Sequence, residues 1–95
     1  MAKRAGQIQP RLGVERAFGQ VIRSIRQGLG ISQAELEKRT GLDRTFISDL
    51  ERGIQGPGIR TLLRIAEGLE TTPCELIRRT RRSPLFVFPT GRQLI

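Results

Sequence analysis

Residues 40–53, which read TGLDRTFISDLERG, hold the polar side chains whose types and spacing are best suited to hydrogen bonding with a ligand. Asp43 can cap a helix, because its carboxylate can accept backbone N–H groups of the first turn, and Gly53 can end that helix. Ile47 and Leu50 lie three residues apart and face inward. The outer face then carries Arg44, Thr45, Ser48 and Asp49. A helix that reads base edges in a major groove needs an apolar inner face that packs on its domain and an outer face of short hydrogen-bonding side chains.

Arg44 is the strongest candidate for reading a base. Its guanidinium fork matches the two acceptors on guanine, and such a pair discriminates against other bases by ~1–3 kcal/mol. The alternatives are a phosphate contact, or a salt bridge with Glu37 or Asp43. The pattern favours the base contact.

Two of the other outer side chains allow more than one role. Thr45 can offer its methyl group to thymine and its hydroxyl to a base or phosphate, or it can serve hydrogen bonding at the helix start. Asp49 would repel phosphate. It can accept from the amino group of a cytosine or orient Arg52 or another basic side chain, and the sequence favours the orienting role.

The composition indicates one basic domain. The chain has 95 residues, with 17 Lys+Arg against 9 Asp+Glu and a net charge of +8. This charge suggests a polyanionic partner, with a merely soluble basic surface as the alternative. The single cysteine, Cys74, excludes an internal disulfide and fits a reducing cytoplasm. Histidine is missing, and no metal-ligand spacing or phosphate loop is present, so we expect no enzyme, no metal and no cofactor. No apolar run is long enough to span a membrane.

Five helices are predicted in residues 14–80. Apolar residues recur at helical spacing in the first and fourth, and the capping boxes Ser32–Glu35 and Thr72–Glu75 start the second and fifth. The stripe of the first helix runs over residues 14–29, with Gly28 and Gly30 at its end, and the second helix runs from Gln33 to Arg39 or Thr40. The third lies between its cap Asp43 and Gly53, the stripe of the fourth covers residues 59–66, and the fifth spans about residues 73–79. We therefore expect an all-α, five-helix domain whose second and third helices form a helix-turn-helix.

The two ends of the chain differ in character. Residues 1–13 are predicted to be a flexible basic arm in which Lys3 and Arg4 can contact phosphates, or else a disordered basic terminus. Residues 81–95 form a tail with a short β-prone apolar run at 85–88. That run either packs on its own domain or pairs with a partner, and an antiparallel ribbon across a two-fold axis is one hypothesis. Its candidate dimer contacts are Leu85, Phe86 and Phe88.

Several short motifs together resemble one family. They are Gln33-Ala34-x-Leu36, Gly41, Ile47-Ser48, Leu50-Glu51-x-Gly53 and Thr61-Leu62-Leu63-x-Ile65-Ala66. Their spacing is similar to that of the lambda-repressor/Cro-like helix-turn-helix family, also called the XRE family, over residues 18–77.

The resemblance implies roles for individual residues. It places Arg44, Thr45 and Asp49 at base-contacting positions, and Ser48 where it could reach a base or a phosphate. It places Gln33 on a phosphate. It also implies an ion pair between Arg26 and Glu51, and a dimer surface on the fifth helix with Leu76 and Ile77. Further candidates for phosphate contacts are Arg39, Arg52, Arg60 and the arm.

One position departs from the family pattern. The residue four after Gln33 is usually small, because the two helices cross there, and here it is Glu37. We expect that its stem folds outward toward Arg44 or Arg52, or that the two helices lie farther apart.

The family implies a DNA-binding transcriptional regulator, a repressor or autoregulator that binds a pseudo-palindromic operator as a homodimer. Its location is then the cytoplasm, in association with the nucleoid and not with a membrane. The alternative is the antitoxin of a toxin–antitoxin pair, which would bind DNA through this domain and a toxin through another surface. A pure protein-interaction adaptor is a third possibility, against which the net charge and the outward Arg44 argue.

Overall fold

The computed structural model describes residues 13–86, which form five α-helices and no strand. The helices are α1 (Val14–Gly28), α2 (Gln33–Thr40), α3 (Arg44–Glu51), α4 (Ile59–Gly68) and α5 (Pro73–Arg82). The expected all-α, five-helix architecture is confirmed, although α5 continues beyond its predicted end. No helix within this range is long and apolar enough to cross a membrane. Residues 1–12 and 87–95 lie outside the described range, and with them the roles predicted for Lys3, Arg4 and Phe88.

Side-chain caps start three of the helices. The Ser32 hydroxyl accepts a hydrogen bond from the N–H of Glu35 at 3.0 Å, and Thr72 accepts one from Glu75 at 3.0 Å. The Asp43 carboxylate accepts from the N–H of Thr45, also at 3.0 Å. Each bond satisfies a first-turn N–H that has no backbone partner, which stabilises a helix by about 1 kcal/mol. These caps are the local reason why α2, α3 and α5 begin where the sequence predicts.

The core is shared by all five helices, with α1 at its centre. α1 packs against α5 and α3, and α2 packs against α3 and α4. The largest fully buried side chains are Ile22, Leu36, Ile47, Leu50, Ile65, Leu69 and Leu76. α3 therefore has its back held by α1 and α2, and its opposite face points outward.

Leu76 belongs to this core, which corrects its assignment to a dimer surface. Its side chain is fully buried in the single chain, so it is not available to a partner. The neighbouring Ile77, which the resemblance placed on the same dimer surface, is 55% exposed. The two residues are adjacent on a helix and so point in directions about 100° apart, and only Ile77 faces solvent.

The tail does not begin as a strand. Ser83 forms a turn in which its carbonyl accepts from the N–H of Phe86 at 3.0 Å and its hydroxyl accepts from Leu85 at 3.1 Å. Phe86 then lines an apolar groove of about 440 Å³, together with Phe18 and Leu62. In the described chain, residues 85 and 86 thus follow the first alternative, in which the run packs on its own domain, and pairing across a two-fold axis stays a prediction.

Two of the arginines in α5 pair with one carboxylate. The Glu75 carboxylate accepts from Arg79 Nε at 2.7 Å and also binds Arg78. The hydrogen bonds from Arg79 and then Arg78 lower the pKa of Glu75 below its ordinary value. Because this pKa is depressed in the folded state, the stabilisation is present at neutral pH and is lost as the pH falls through the folded-state pKa.

α1 and α3 are in close contact at Gly19. A Cβ on Gly19 would lie 2.6 Å from the carbonyl oxygen of Glu51 and closer still to that of Leu50. Real Cβ contacts are never so short, so a glycine is required for the C-terminal end of α3 to rest on α1.

An ion pair joins the same two helices. Arg26 donates from Nε to Glu51 Oε2 at 2.6 Å and from Nη2 to Oε1 at 3.0 Å, and both residues are buried. Arg26 also donates to the carbonyl of Ile31 at 2.9 Å, and Gln33 donates to Glu51 Oε1 at 3.0 Å. The hydrogen bond that Arg26 donates to Glu51 raises the pKa of Arg26 above its ordinary value, so the guanidinium stays charged. The expected partners are thus in contact, and the loop before α2 and the start of α2 are tied to them.

Gly19→Ala should lower the free energy of unfolding by about 1–3 kcal/mol, because the new methyl group overlaps the α3 backbone. Urea denaturation measures the change. Gly28→Ala is the matched control in the same helix, since a Cβ there meets nothing within 4 Å. The control should keep or slightly raise the stability, and equal stabilities of the two variants would contradict the close packing.

Arg26→Met should lower the free energy of unfolding by about 3 kcal/mol, because Glu51 would stay buried without its cation. Urea denaturation of Arg26→Met, Glu51→Leu and the double variant forms a double-mutant cycle. The double variant should lose less than the two single variants together, and strictly additive losses would count against a coupled pair.

Candidate nucleic-acid interface

The outer face of α3 gathers the residues expected to read bases. Ile47 and Leu50 are fully buried on its back. Arg44 and Thr45 are exposed in its first turn, and Ser48 lies half-buried one turn later. The helix therefore offers a short polar front on a fixed, apolar back, as the sequence pattern requires.

The side chain of Arg44 has no hydrogen-bond or salt-bridge partner among residues 13–86, and it is exposed. The salt bridges considered as alternatives are not formed. Glu37 and Asp43 instead accept hydrogen bonds from backbone N–H groups, of Arg44 at 3.2 Å and of Thr45 at 3.0 Å. The guanidinium is thus left free to bind a ligand.

Glu37 folds outward onto the start of α3, one of the two outcomes expected for this position. Its target is the backbone of Arg44 and not the guanidinium of Arg44 or Arg52. The sequence could show that the residue was unusual, but the N–H that it reaches depends on how α2 and α3 cross.

Asp49 is occupied in orienting two neighbours. Its Oδ1 accepts from Arg52 Nη2 at 3.0 Å, and its Oδ2 accepts from Gln55 Nε2 at 3.2 Å. The first bond is an exposed i, i+3 pair that contributes little stability but fixes the direction of the guanidinium. Gln55 was not among the residues singled out in the sequence, because it lies in the irregular loop after α3 and only the fold brings it to Asp49.

The candidate phosphate contacts do not form one set. Gln33 is half-buried and hydrogen-bonded to Glu51, while Arg52 is held by Asp49. Arg39 donates to the carbonyl of Gly68 at 3.0 Å and to Glu70 at 3.1 Å. Its guanidinium therefore serves the junction of α2 with the end of α4. Arg60 is exposed in the first turn of α4.

Three large apolar side chains on α4 and α5 are exposed. Ile59 is 75% exposed and Leu63 is 53% exposed, and the two lie one turn apart on α4. Ile77 is on α5, which packs against α4, and with Leu62 it lines the apolar groove. We refer to Ile59, Leu63 and Ile77 as the apolar face. Ile59 and Leu63 belong to the apolar residues that recur in the fourth helix, but it is Ile65, Ala66 and Leu69 that fill the core there.

A helix-turn-helix family model matches residues 22–76, which include the whole of α2 and α3. An uncharacterised helix-turn-helix-type transcriptional regulator of Sinorhizobium fredii, y4dJ, is 30% identical over 73 residues. That alignment covers 77% of this chain and 95% of the relative.

Two solved structures are similar to this fold. The restriction-modification controller protein C.AhdI from Aeromonas hydrophila has a TM-score of 0.62 and 36% identity, over 64% of this chain and 92% of its own. The restriction-modification controller protein C.Esp1396I was solved as a tetramer in complex with its natural 35 base-pair operator. It has a TM-score of 0.67 and 30% identity, over 73% of this chain and 91% of its own.

The family model spans more than half of the chain, and the Sinorhizobium relative is matched over nearly its whole length. The chain therefore belongs, as its motifs indicated, to the lambda-repressor/Cro-like (XRE) helix-turn-helix family of DNA-binding transcriptional regulators.

Proposed function

We propose that this regulator binds a pseudo-palindromic operator as a homodimer and acts as a repressor or autoregulator, at the nucleoid in the cytoplasm. The observation that carries the proposal is the outer face of α3, where the Arg44 guanidinium is exposed and unpaired in the described part of the chain. The similarity to a controller protein solved on its operator supports duplex DNA as the ligand.

Base reading is assigned to the first turns of α3. Arg44 would donate to the O6 and N7 acceptors of guanine, and Thr45 would offer its methyl group to thymine. Ser48, half-buried one turn further on, would reach a base or a phosphate. Asp49 would contribute indirectly, since both of its carboxylate oxygens already accept hydrogen bonds from Arg52 and Gln55.

Phosphate binding is assigned to Gln33, Arg52 and Arg60, together with Lys3 and Arg4 of the arm. Arg52 is aimed by Asp49, and Arg60 is exposed. We leave Arg39 out of this set, because its guanidinium is already bound to Gly68 and Glu70. Such contacts supply affinity that does not depend on sequence and that weakens as salt increases.

The apolar face is the surface that we assign to the dimer. Isolated exposed apolar residues are common, but two helices that pack against each other here expose three large ones, and we assign all three to contacts with a second copy. Two recognition helices would then read two half-sites about 34–36 Å apart, one turn of DNA. The apolar tail was the sequence feature that favoured the antitoxin alternative. Phe86 instead packs on its own domain, and we leave a toxin out of the proposal.

The test of the whole proposal is selection of the purified protein on a pool of random duplexes at two salt concentrations, followed by sequencing of the bound fraction. A two-fold symmetric motif that survives the higher salt is the expected result. If DNA is bound only at the lower salt and no motif is enriched, the protein binds DNA through its positive charge alone, and the proposal is wrong.

Arg44→Ala should weaken binding to the selected operator by roughly 10–100-fold and leave binding to random DNA almost unchanged, because one bidentate base contact is lost. Fluorescence anisotropy measures both affinities. Arg60→Ala is the matched control, which should weaken operator and random DNA alike and reduce the salt slope by about one. An equal loss on both DNAs for Arg44→Ala would contradict base reading.

Leu63→Ser should raise the dimer dissociation constant by roughly tenfold or more, because an apolar side chain buried in each of two copies is lost. Sedimentation equilibrium measures this constant, and circular dichroism checks that the variant is folded. Leu29→Ser is the control, since Leu29 is also an exposed leucine but lies at the end of α1. A dimer equally strong in both variants would place the interface elsewhere.

A further inference from the structure

Glu37 holds both sides of the turn between α2 and α3. Its backbone carbonyl accepts from the N–H of Gly41 at 2.8 Å, which closes α2, and Gly41 has the left-handed conformation with φ 75°. Its side-chain Oε2 accepts from the N–H of Arg44 at 3.2 Å, which opens α3. One residue therefore fixes the end of α2 and the start of α3.

The first two N–H groups of α3 are both bound to carboxylates. Glu37 takes that of Arg44, and Asp43 takes that of Thr45. The N-terminus of a helix carries a partial positive charge, which stabilises a carboxylate there and in other proteins binds phosphate. A DNA phosphate could bind these two N–H groups only by displacing a carboxylate.

The backbone of Arg44 is thus held while its side chain is free. The N–H is bound to Glu37, and the exposed guanidinium has no partner among residues 13–86. A long side chain finds a base edge reproducibly only when its backbone is fixed, because a small displacement at Cα becomes a large one at the guanidinium.

We propose that Glu37 is a positioning and specificity-determining residue for DNA reading. Its carboxylate sets the start of α3 so that Arg44 meets a base, and its negative charge keeps phosphates away from that end of the helix. Glu37 would therefore increase the preference for the operator over random DNA without touching a base. The inference rests on the proposed function, because it requires that Arg44 reads sequence.

The test uses Glu37→Ala and Glu37→Gln in the full-length protein, with the random-duplex selection and anisotropy on operator and random DNA. Glu37→Ala should bind the operator roughly tenfold more weakly and relax the same base position that Arg44→Ala relaxes. Glu37→Gln keeps a side-chain oxygen that can accept from Arg44 but removes the charge. It should retain the motif and bind random DNA severalfold more tightly, because a repelling charge is gone.

Glu67→Gln is the control for charge alone. Glu67 is exposed on α4, and its substitution removes a charge of the same sign without changing the start of α3, so the motif should stay as in wild type. Thermal unfolding of all variants separates positioning from loss of structure. If Glu37→Ala is unfolded, the affinity of Glu37→Gln for random DNA decides the matter. An affinity equal to that of the wild type would then overturn the inference.

Two further results would overturn the positioning role: an unchanged base preference in Glu37→Ala, or an equal relaxation in Glu37→Ala and Glu37→Gln. The failure of the proposed function looks different. A wild-type protein that enriches no motif removes the function and this inference together, whereas a wild-type motif that Glu37→Ala leaves intact removes only the inference.

Discussion

The buried carboxylate of Glu51 is the group on which the position of α3 depends. Glu51 is the last residue of α3, and its two oxygens accept from Arg26 of α1 and Gln33 of α2. One side chain thus connects three helices. A shifted α3 would leave a buried charge without its partner, which costs several kcal/mol, so the pair selects against such positions. Gly19 allows the same end of α3 to rest directly on α1.

α3 also shows why both of its ends must be fixed by the rest of the chain. A helix of eight residues is not stable alone in water, because few hydrogen bonds offset the cost of its nucleation. At its start, the carboxylates of Glu37 and Asp43 accept hydrogen bonds from its first N–H groups. At its end, its own Glu51 accepts from Arg26 of α1. These contacts and the buried Ile47 and Leu50 carry the structural role, so the front of the helix is free to contact a ligand.

Features set by local chemistry could be predicted from the sequence, and features set by helix crossing could not. The caps at Ser32, Asp43 and Thr72 depend on neighbours within three residues, so the helix starts were predictable. The exposed side of α4 was not, because its apolar residues occupy more than one face and only packing against α2 and α5 selects Ile65 for the core over Leu63. Arg44 was one of the two residues expected near Glu37, but that its backbone N–H and not its guanidinium is bound depends on how α2 and α3 cross.

A basic protein that places acids beside its reading helix separates affinity from specificity. Phosphate attraction is long-ranged and independent of sequence, so exposed cations such as Arg16, Arg23 and Arg64 can supply it from other helices. Base discrimination is available only where side chains reach base edges. A carboxylate at the start of α3 therefore costs affinity that the net charge of +8 can restore elsewhere. In the role proposed for it, the carboxylate of Glu37 contributes a fixed backbone at Arg44 and a start of α3 that does not attract phosphate.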